Sequence, residues 1–553
     1  MRRFALLLFA ATLGACASSS SSTTTQGPVP VPPPPAQPAA TPPRAPAPRP
    51  AGPLTEAPRA WQLLDFTADR VPGPSAERAY RELLAGRAPA RTVVVAIIDG
   101  GVDTAHVDLR ANLWKNEDET PGNGQDDDGN GYVDDVYGWN FLGGRNGESV
   151  HHDTYEVTRL HRNCVATEAS LAPPERMRCA AIADDFRRER AEADQTLQQI
   201  RVIDGMLSST LPVLRRALGS DSLTEANVRA LRPAGSEAQQ ARSLFLNLAE
   251  NGLTPKDVAD AMAAYSSRVD YGLNPSYNPR SIVGDDYSNL DERVYGNHDV
   301  TGPDAGHGTH VAGIIGAVRG NNEGIDGIAP AVRIMSVRTV PDGDEHDKDV
   351  ANAIRYAVDN GAHIINMSFG KAHSPGKSAV DEAVKYADSR GVLMIHAAGN
   401  DGNDNDTEEN YPRPVYLDGG RAANWIEVGA ASWKVDSLAA PFSNYGATSV
   451  DIFAPGMEVL STKPGNAYEP EDGTSMAAPV VTGVAALLMA FYPDLGAADV
   501  RRILLESAVR HDRRVARPGE PPQNVPFTTL SVTGGVVNAF EAVRMAEAMR
   551  GGR

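Results

Sequence analysis

The sequence predicts an α/β fold with a mainly parallel central sheet. Short apolar runs at 92–98, 332–340, 362–368, 392–397 and 425–431 have the length and composition of strands, and helical stretches at 347–360, 376–390 and 475–491 alternate with them. The run at 92–98, with Val93, Val94, Val95, Ile97 and Ile98, is apolar at nearly every position and is stopped by Gly100-Gly101. That pattern belongs to a strand covered on both faces. Further helices are expected at 497–507 and 538–549, and a short one at 75–86 leads into the first strand.

Taken in order, the chain opens with Arg2 and Arg3 before an apolar segment, Phe4 to Ala11, too short to cross a bilayer as a mature helix. Leu13-Gly14-Ala15-Cys16 resembles a bacterial lipobox. The resemblance implies a leader at 1–15 and a lipidated Cys16, hence an exported lipoprotein of the cell envelope anchored to the membrane through its N-terminus. Ala17, in place of an Asp, points to the outer membrane. Residues 16–59 are rich in Ser and Thr, then in Pro, and build no core; they read as an extended tether. The net charge of −19 argues against a nucleic-acid partner and against a basic membrane-binding face.

Asp99 closes the first core strand, where open α/β sheets place their sites. After it, Gly124 to Asp135 is dense in hard oxygen donors with a Gly at the bend, as in an EF-hand-type calcium loop. Counted from Asp126, the twelfth position is Tyr137 instead of Glu. A structural calcium would take Asp126, Asp128, Asn130 and Asp134, with Tyr132 through its carbonyl.

Residues 151–280 read as a helical insertion. Glu175 to Leu218 is rich in helix formers, Ser222-Leu223-Thr224-Glu225 has the form of a capping box, and 244–264 supplies one or two more helices. Cys164 and Cys179 both fall here. They are either free thiols or a disulfide closing a loop of about 15 residues, worth roughly 3 kcal/mol. An even count, with Cys16 lipidated, favours the pair.

Three stretches carry the chemistry. After Asp99 come Gly306-His307-Gly308-Thr309-His310-Val311-Ala312-Gly313, with His307 near the start of an apolar helix, and Gly473-Thr474-Ser475-Met476-Ala477-Ala478-Pro479, with Ser475 opening a second. A serine hydroxyl needs an adjacent base, and the base needs a third group to fix its tautomer. A helix N-terminus suits developing negative charge. Between them, the strand at 392–397 ends in Ala398-Gly399-Asn400 and the strand at 362–368 ends in Ser368-Phe369-Gly370.

In the order carboxylate, imidazole, hydroxyl, these stretches resemble the subtilases, the subtilisin-like serine endopeptidases of peptidase family S8. The resemblance covers residues 60–144 and 281–545. It implies a subtilisin-like three-layer fold acting on protein or peptide substrates through an acyl-enzyme on Ser475. His307 is then the general base and acid, Asp99 orients it, and Asn400 donates in the oxyanion hole. Ser368, Gly370, Ala398 and Gly399 line the substrate cleft, His310 has no role in the triad, and catalysis needs no cofactor. Many secreted subtilases carry a longer prodomain than the few tens of residues found before Asp99, which leaves the activation route open. The competing expectation is a catalytically inactive subtilase-fold protein that binds peptides on the envelope; the four filled positions weigh against it. The expected division is 1–15 leader, 16–59 tether, 60–150 and 281–545 catalytic domain, and 151–280 insertion.

Overall fold

The computed structural model describes residue 54, residues 56–519 and residues 521–551. The leader at 1–15, Cys16 and residues 17–53 of the expected tether lie outside the described residues. The remainder divides into two compact units, His152–Asn278 and the chain on either side of it.

The larger unit is built on a nine-stranded sheet. Its main strands are β1 (Val93–Asp99), β2 (Gly138–Asn140), β3 (Val332–Arg338), β4 (Ile364–Met367), β5 (Leu393–Ala397), β6 (Trp425–Ala431) and β7 (Ile452–Pro455). They lie parallel in the order β7-β6-β5-β4-β1-β3-β2. Gly535–Val536 extends the β7 edge and pairs antiparallel with Val509–Arg510. This is the expected mainly parallel α/β arrangement. β1 pairs with β3 on one side and β4 on the other, so the winding reverses there, and the carboxyl ends of strands at such a reversal are where open α/β sheets place their sites.

Side-chain alternation gives the sheet two apolar faces. Val93, Val95 and Ile97 join one core with the helices Gly306–Gly316 and Thr474–Phe491. Ala96 and Ile98 join the other with the helices Asp347–Asp359 and Lys377–Ser389. Helix Thr474–Phe491 is buried on all sides, which is why its sequence has no polar stripe. Each Val or Leu it buries contributes about 1.5–3 kcal/mol. β2, β7 and a hairpin of Val459–Lys463 with Ala467–Glu471 had no sequence signal: they are short, and the outer hairpin strand is mostly exposed.

The segment before β1 contributes Trp61, Leu63, Val71, Ala76, Ala79 and Leu84 to the core. The fully buried Trp61 donates its indole N–H to the Met457 carbonyl at 2.9 Å, and Gln62 donates to Leu460 at 2.9 Å. The expected short helix is Ala76–Glu82, and its Tyr80 hydroxyl donates to the Ile328 carbonyl at 2.7 Å. Asn538, near the far end of the chain, donates to Ser75 Oγ at 2.9 Å.

The smaller unit covers 152–278, against an expected 151–280. Its axis is one 46-residue helix, Pro173–Leu218, against which Glu156–Thr167, Glu225–Ala230, Ser236–Glu250 and Pro255–Ser267 pack. Three small cores follow one another along it, around Phe186 and Leu197, around Ile200 and Leu207, and around Leu214 with Phe245. Cys164 and Cys179 form a disulfide, with Cα atoms 5.5 Å apart. The capping box is shifted by two residues from expectation. Thr224 is the N-cap, accepting from the Asn227 N–H at 3.2 Å while Asn227 Oδ1 accepts from the Thr224 N–H at 2.8 Å.

Candidate active site

Asp99 is the last residue of β1, buried, with Oδ1 accepting the Gly100 N–H at 2.7 Å. His307 is the second residue of helix Gly306–Gly316, whose start is held by Asp304 Oδ1 accepting the Gly306 N–H at 2.8 Å. A Cβ on Gly308 would lie 2.2 Å from the Gly101 carbonyl, so only glycine lets the helix start abut the turn after Asp99. The result is that His307 Nδ1 lies 2.9 Å from Asp99 Oδ1 and 3.0 Å from Oδ2. A carboxylate only accepts, so Nδ1 carries the proton and Nε2 is left as the basic nitrogen. Burial disfavours the imidazolium, but the charge and hydrogen bond of Asp99, helped by Glu471, outweigh it and hold the His307 pKa above its ordinary value.

Ser475 sits in the first turn of helix Thr474–Phe491, where its N–H has no intrahelical carbonyl to meet. Pro479, four residues on, has no N–H, so the Ser475 carbonyl is also free of the helix ladder. That carbonyl accepts from Ser368 Oγ at 3.0 Å, and Ser475 Oγ donates back to the Ser368 carbonyl at 3.2 Å. The pairing joins the nucleophile candidate to the end of β4. It also leaves one leg of the expected relay open, because the hydroxyl is bonded to Ser368 instead of His307.

Asn400 follows the end of β5. Its Oδ1 accepts from the Thr474 N–H at 2.8 Å and from Thr474 Oγ1 at 2.9 Å. A backbone N–H can only donate, which fixes the amide: Oδ1 faces Thr474 and Nδ2 remains a free donor beside the start of the serine helix. Thr474 thus positions Asn400, a role that its place before Ser475 does not announce in the sequence. Its hydroxyl also accepts the Gly399 N–H at 3.2 Å.

Of the cleft candidates, Ser368 is buried and tied to Ser475 as described, Gly399 is half-buried and Gly370 is exposed. A Cβ on Gly370 would come within 2.5 Å of Asn410 Oδ1, so Asn410 fills the space beside it. Ala398 corrects the expectation: it is fully buried with Ala431 and Phe453, its N–H bonded to the Val428 carbonyl at 3.0 Å and its own carbonyl accepting from Asn405 and Asn410 at 2.8 and 3.0 Å. His310 is fully buried and donates Nε2–H to the Glu469 carbonyl at 3.0 Å; burial pushes its pKa down to about 4, which keeps it neutral.

The acidic loop differs from its expected ligand set. Asp126 accepts the N–H groups of Gly129, Asn130 and Gly131, and Asp134 accepts those of Asn123 and Gly124. Asn130 Oδ1 accepts the Tyr132 N–H at 2.7 Å. The carboxylates that do converge are Glu119, Asp128 and Asp135, with one oxygen from each within 4.8 Å of the others. Only Asp128 belonged to the expected set. Glu119 lies before the 124–135 loop, and Asp135 takes the place expected of Asp134. Asp134 takes a left-handed backbone, φ 56°, while Asp135 is completely buried.

The chain matches the subtilase family over residues 90–527. It is 41% identical over 229 residues to a thermophilic serine proteinase of Bacillus sp. (strain AK1), covering 41% of this chain and 51% of that protein, about half its length. It is 38% identical over 236 residues to thermitase of Thermoactinomyces vulgaris, covering 42% of this chain and 77% of thermitase. Among solved structures, a mutant of the protease domain of PatA is 31% identical over 45% of this chain and 82% of that one, with a TM-score of 0.36. The chain belongs to the subtilase family of serine-type endopeptidases.

Proposed function

We propose that this protein hydrolyses peptide bonds by acyl transfer to Ser475. The observation that carries this reading is the Asp99–His307 contact at 2.9 Å, which leaves Nε2 as a base on a helix that shares one core with the helix Ser475 opens. In this mechanism the Ser475 hydroxyl leaves the Ser368 carbonyl for His307, which removes its proton as it attacks the substrate carbonyl. Asn400 Nδ2 and the Ser475 N–H receive the oxyanion, and His307 then protonates the leaving amine. Water reverses the sequence. No step in it calls for a cofactor.

The resting bond from Ser475 to Ser368 is the one observation that favours a second reading, a catalytically silent peptide-binding scaffold. A fluorophosphonate probe separates the two, because it reacts only with an activated serine. Covalent labelling of Ser475, found by peptide mass spectrometry, is expected; an unlabelled protein overturns the peptidase reading.

Asn400 tests the oxyanion assignment. Asn400→Asp keeps an acceptor for Thr474 and loses the Nδ2 donor. It is expected to lower kcat by about 10²–10³-fold with a smaller change in KM. Steady-state kinetics showing an intact kcat would remove Asn400 from the hole.

A divalent cation fits Glu119, Asp128 and Asp135, three hard carboxylates whose mutual repulsion it would relieve. Calcium there stabilises the loop after Asp99. At calcium one hundredfold above its Kd, chelation is expected to reduce stability by about 2.7 kcal/mol. Calorimetry should show this shift in wild type and lose it in Asp135→Asn. Asp126→Asn should keep it. A chelator without effect on wild type rejects the site.

An exported lipoprotein anchored through Cys16 remains the proposed location. It is supported by the lipobox-like Leu13 to Cys16 and by the Cys164–Cys179 disulfide, a bond that persists in oxidising compartments.

A further inference from the structure

β4 and β5 run paired as far as Met367 and His396, and then part. Beyond that point the end of β4 is tied to Ser475 through Ser368, and the end of β5 is tied to Thr474 through Gly399 and Asn400. The start of the serine helix is thus flanked by two diverging strand ends.

An ionisable pair lies buried close to these strand ends. His396 is completely buried, and Glu427 on β6 nearly so. His396 Nε2 is 2.8 Å from the Phe369 carbonyl, and Nδ1 is 2.9 Å from Glu427 Oε1. The carbonyl only accepts, so Nε2 carries a hydrogen, and a further proton is shared between Nδ1 and Oε1. Trp425 Nε1–H, 2.8 Å from Glu427 Oε2, holds the other carboxylate oxygen. Both ring nitrogens and both carboxylate oxygens are therefore fixed. A buried ionisable pair is rarely more stabilising than well-packed apolar residues of the same volume. What apolar residues cannot supply is the directed bond from β5 across to Phe369, one residue beyond Ser368.

We propose that His396 and Glu427 are a positioning pair that sets the separation between the Ser368–Gly370 backbone and the Ala397–Asn400 backbone, and so the fit of an extended peptide between them. The proposal deepens the peptidase reading and rests on its cleft, but neither residue touches substrate or the reacting atoms. An extended chain pairs with strand ends through its backbone, so a shift in their spacing acts on peptide binding before it acts on the serine.

Two readouts test it. In the Ser475→Ala background, binding of fluorescein-labelled casein is followed by anisotropy, independently of turnover. In proteins that keep Ser475, the rate of labelling by a small alkyl fluorophosphonate reports the nucleophile alone; an unlabelled wild type would sink the peptidase reading while the binding measurement still judged the spacing claim. His396→Leu and Glu427→Leu are expected to raise the casein Kd about tenfold or more while labelling stays within about twofold. Glu427→Gln is the conservative rescue. Its carboxamide oxygen accepts from Trp425 and its nitrogen donates to Nδ1, so Kd should stay within about threefold of the parent. The proposal is overturned if Glu427→Gln, which alters no volume, weakens binding tenfold. It is also overturned if His396→Leu leaves Kd unchanged or slows labelling as much as it weakens binding.

Discussion

Ser475→Ala lowers kcat for peptide hydrolysis on the order of 10⁶-fold, the scale on which a triad fails when its seryl nucleophile is removed. The fold should barely register the change. The hydroxyl makes one hydrogen bond among the described residues, to the Ser368 carbonyl, so its loss costs about 0.5–1.5 kcal/mol. The reciprocal bond from Ser368 Oγ to the Ser475 carbonyl uses backbone on that side and survives. Burst-phase kinetics and calorimetry on the same preparation check both statements. Turnover within tenfold of wild type in a folded variant would dismiss Ser475 as nucleophile.

Asp99→Asn should cost about 10⁴-fold in kcat through the tautomer of His307. The Gly100 N–H points at Oδ1, so the asparagine oxygen takes that position and its NH₂ turns toward Nδ1. The oxygen stays 2.9 Å from Nδ1, but pairing with the NH₂ makes Nδ1 the acceptor, so the proton sits on Nε2 and the base is lost. The pH profile gives a second check. Base catalysis needs neutral His307, so kcat/KM climbs as pH rises through its pKa. In wild type, burial pulls that pKa down and Asp99, with Glu471, more than restores it, which puts the acid limb above the value for a free imidazole. Removing the Asp99 charge moves the limb of the residual activity to lower pH. A limb that stays in place in the variant would assign it to another group. The stabilising side of the same contact has the opposite pH sense. It is fully present below the pKa of an unfolded-chain imidazole and fades as pH rises through the folded value, so the active form is the one that draws less stability from the pair.

The sheet and the three chemical stretches were legible because each obeys a local rule. Continuous apolar runs mark strands buried on both faces, and Gly308 follows His307 because the turn at Gly101 presses against the helix. What escaped depended on direction in space. The spacing of the acidic loop counts carboxylates but does not say which of them turn back onto their own backbone. Asp126 and Asp134 do so, whereas Asp135 and the earlier Glu119, itself accepting the N–H groups of Asp127 and Asp134, converge on Asp128. Ala398, a cleft residue by resemblance, lies one residue past β5, and its methyl is buried in the core with Ala431 and Phe453. His396 gave no signal at all. A histidine in an apolar run looks like an accident until the register brings Glu427 beside it.

The N-terminal segment has a consequence for when the centre exists. Trp61 is anchored on Met457, and Ser75 is bonded to Asn538, 463 residues later. During translation the early partner emerges long before the late one, and Asp99 and His307 wait likewise for the helix that bears Ser475. Whatever hydrolytic power the assembled site has is therefore withheld from the nascent chain, and the order of synthesis itself supplies a period of latency.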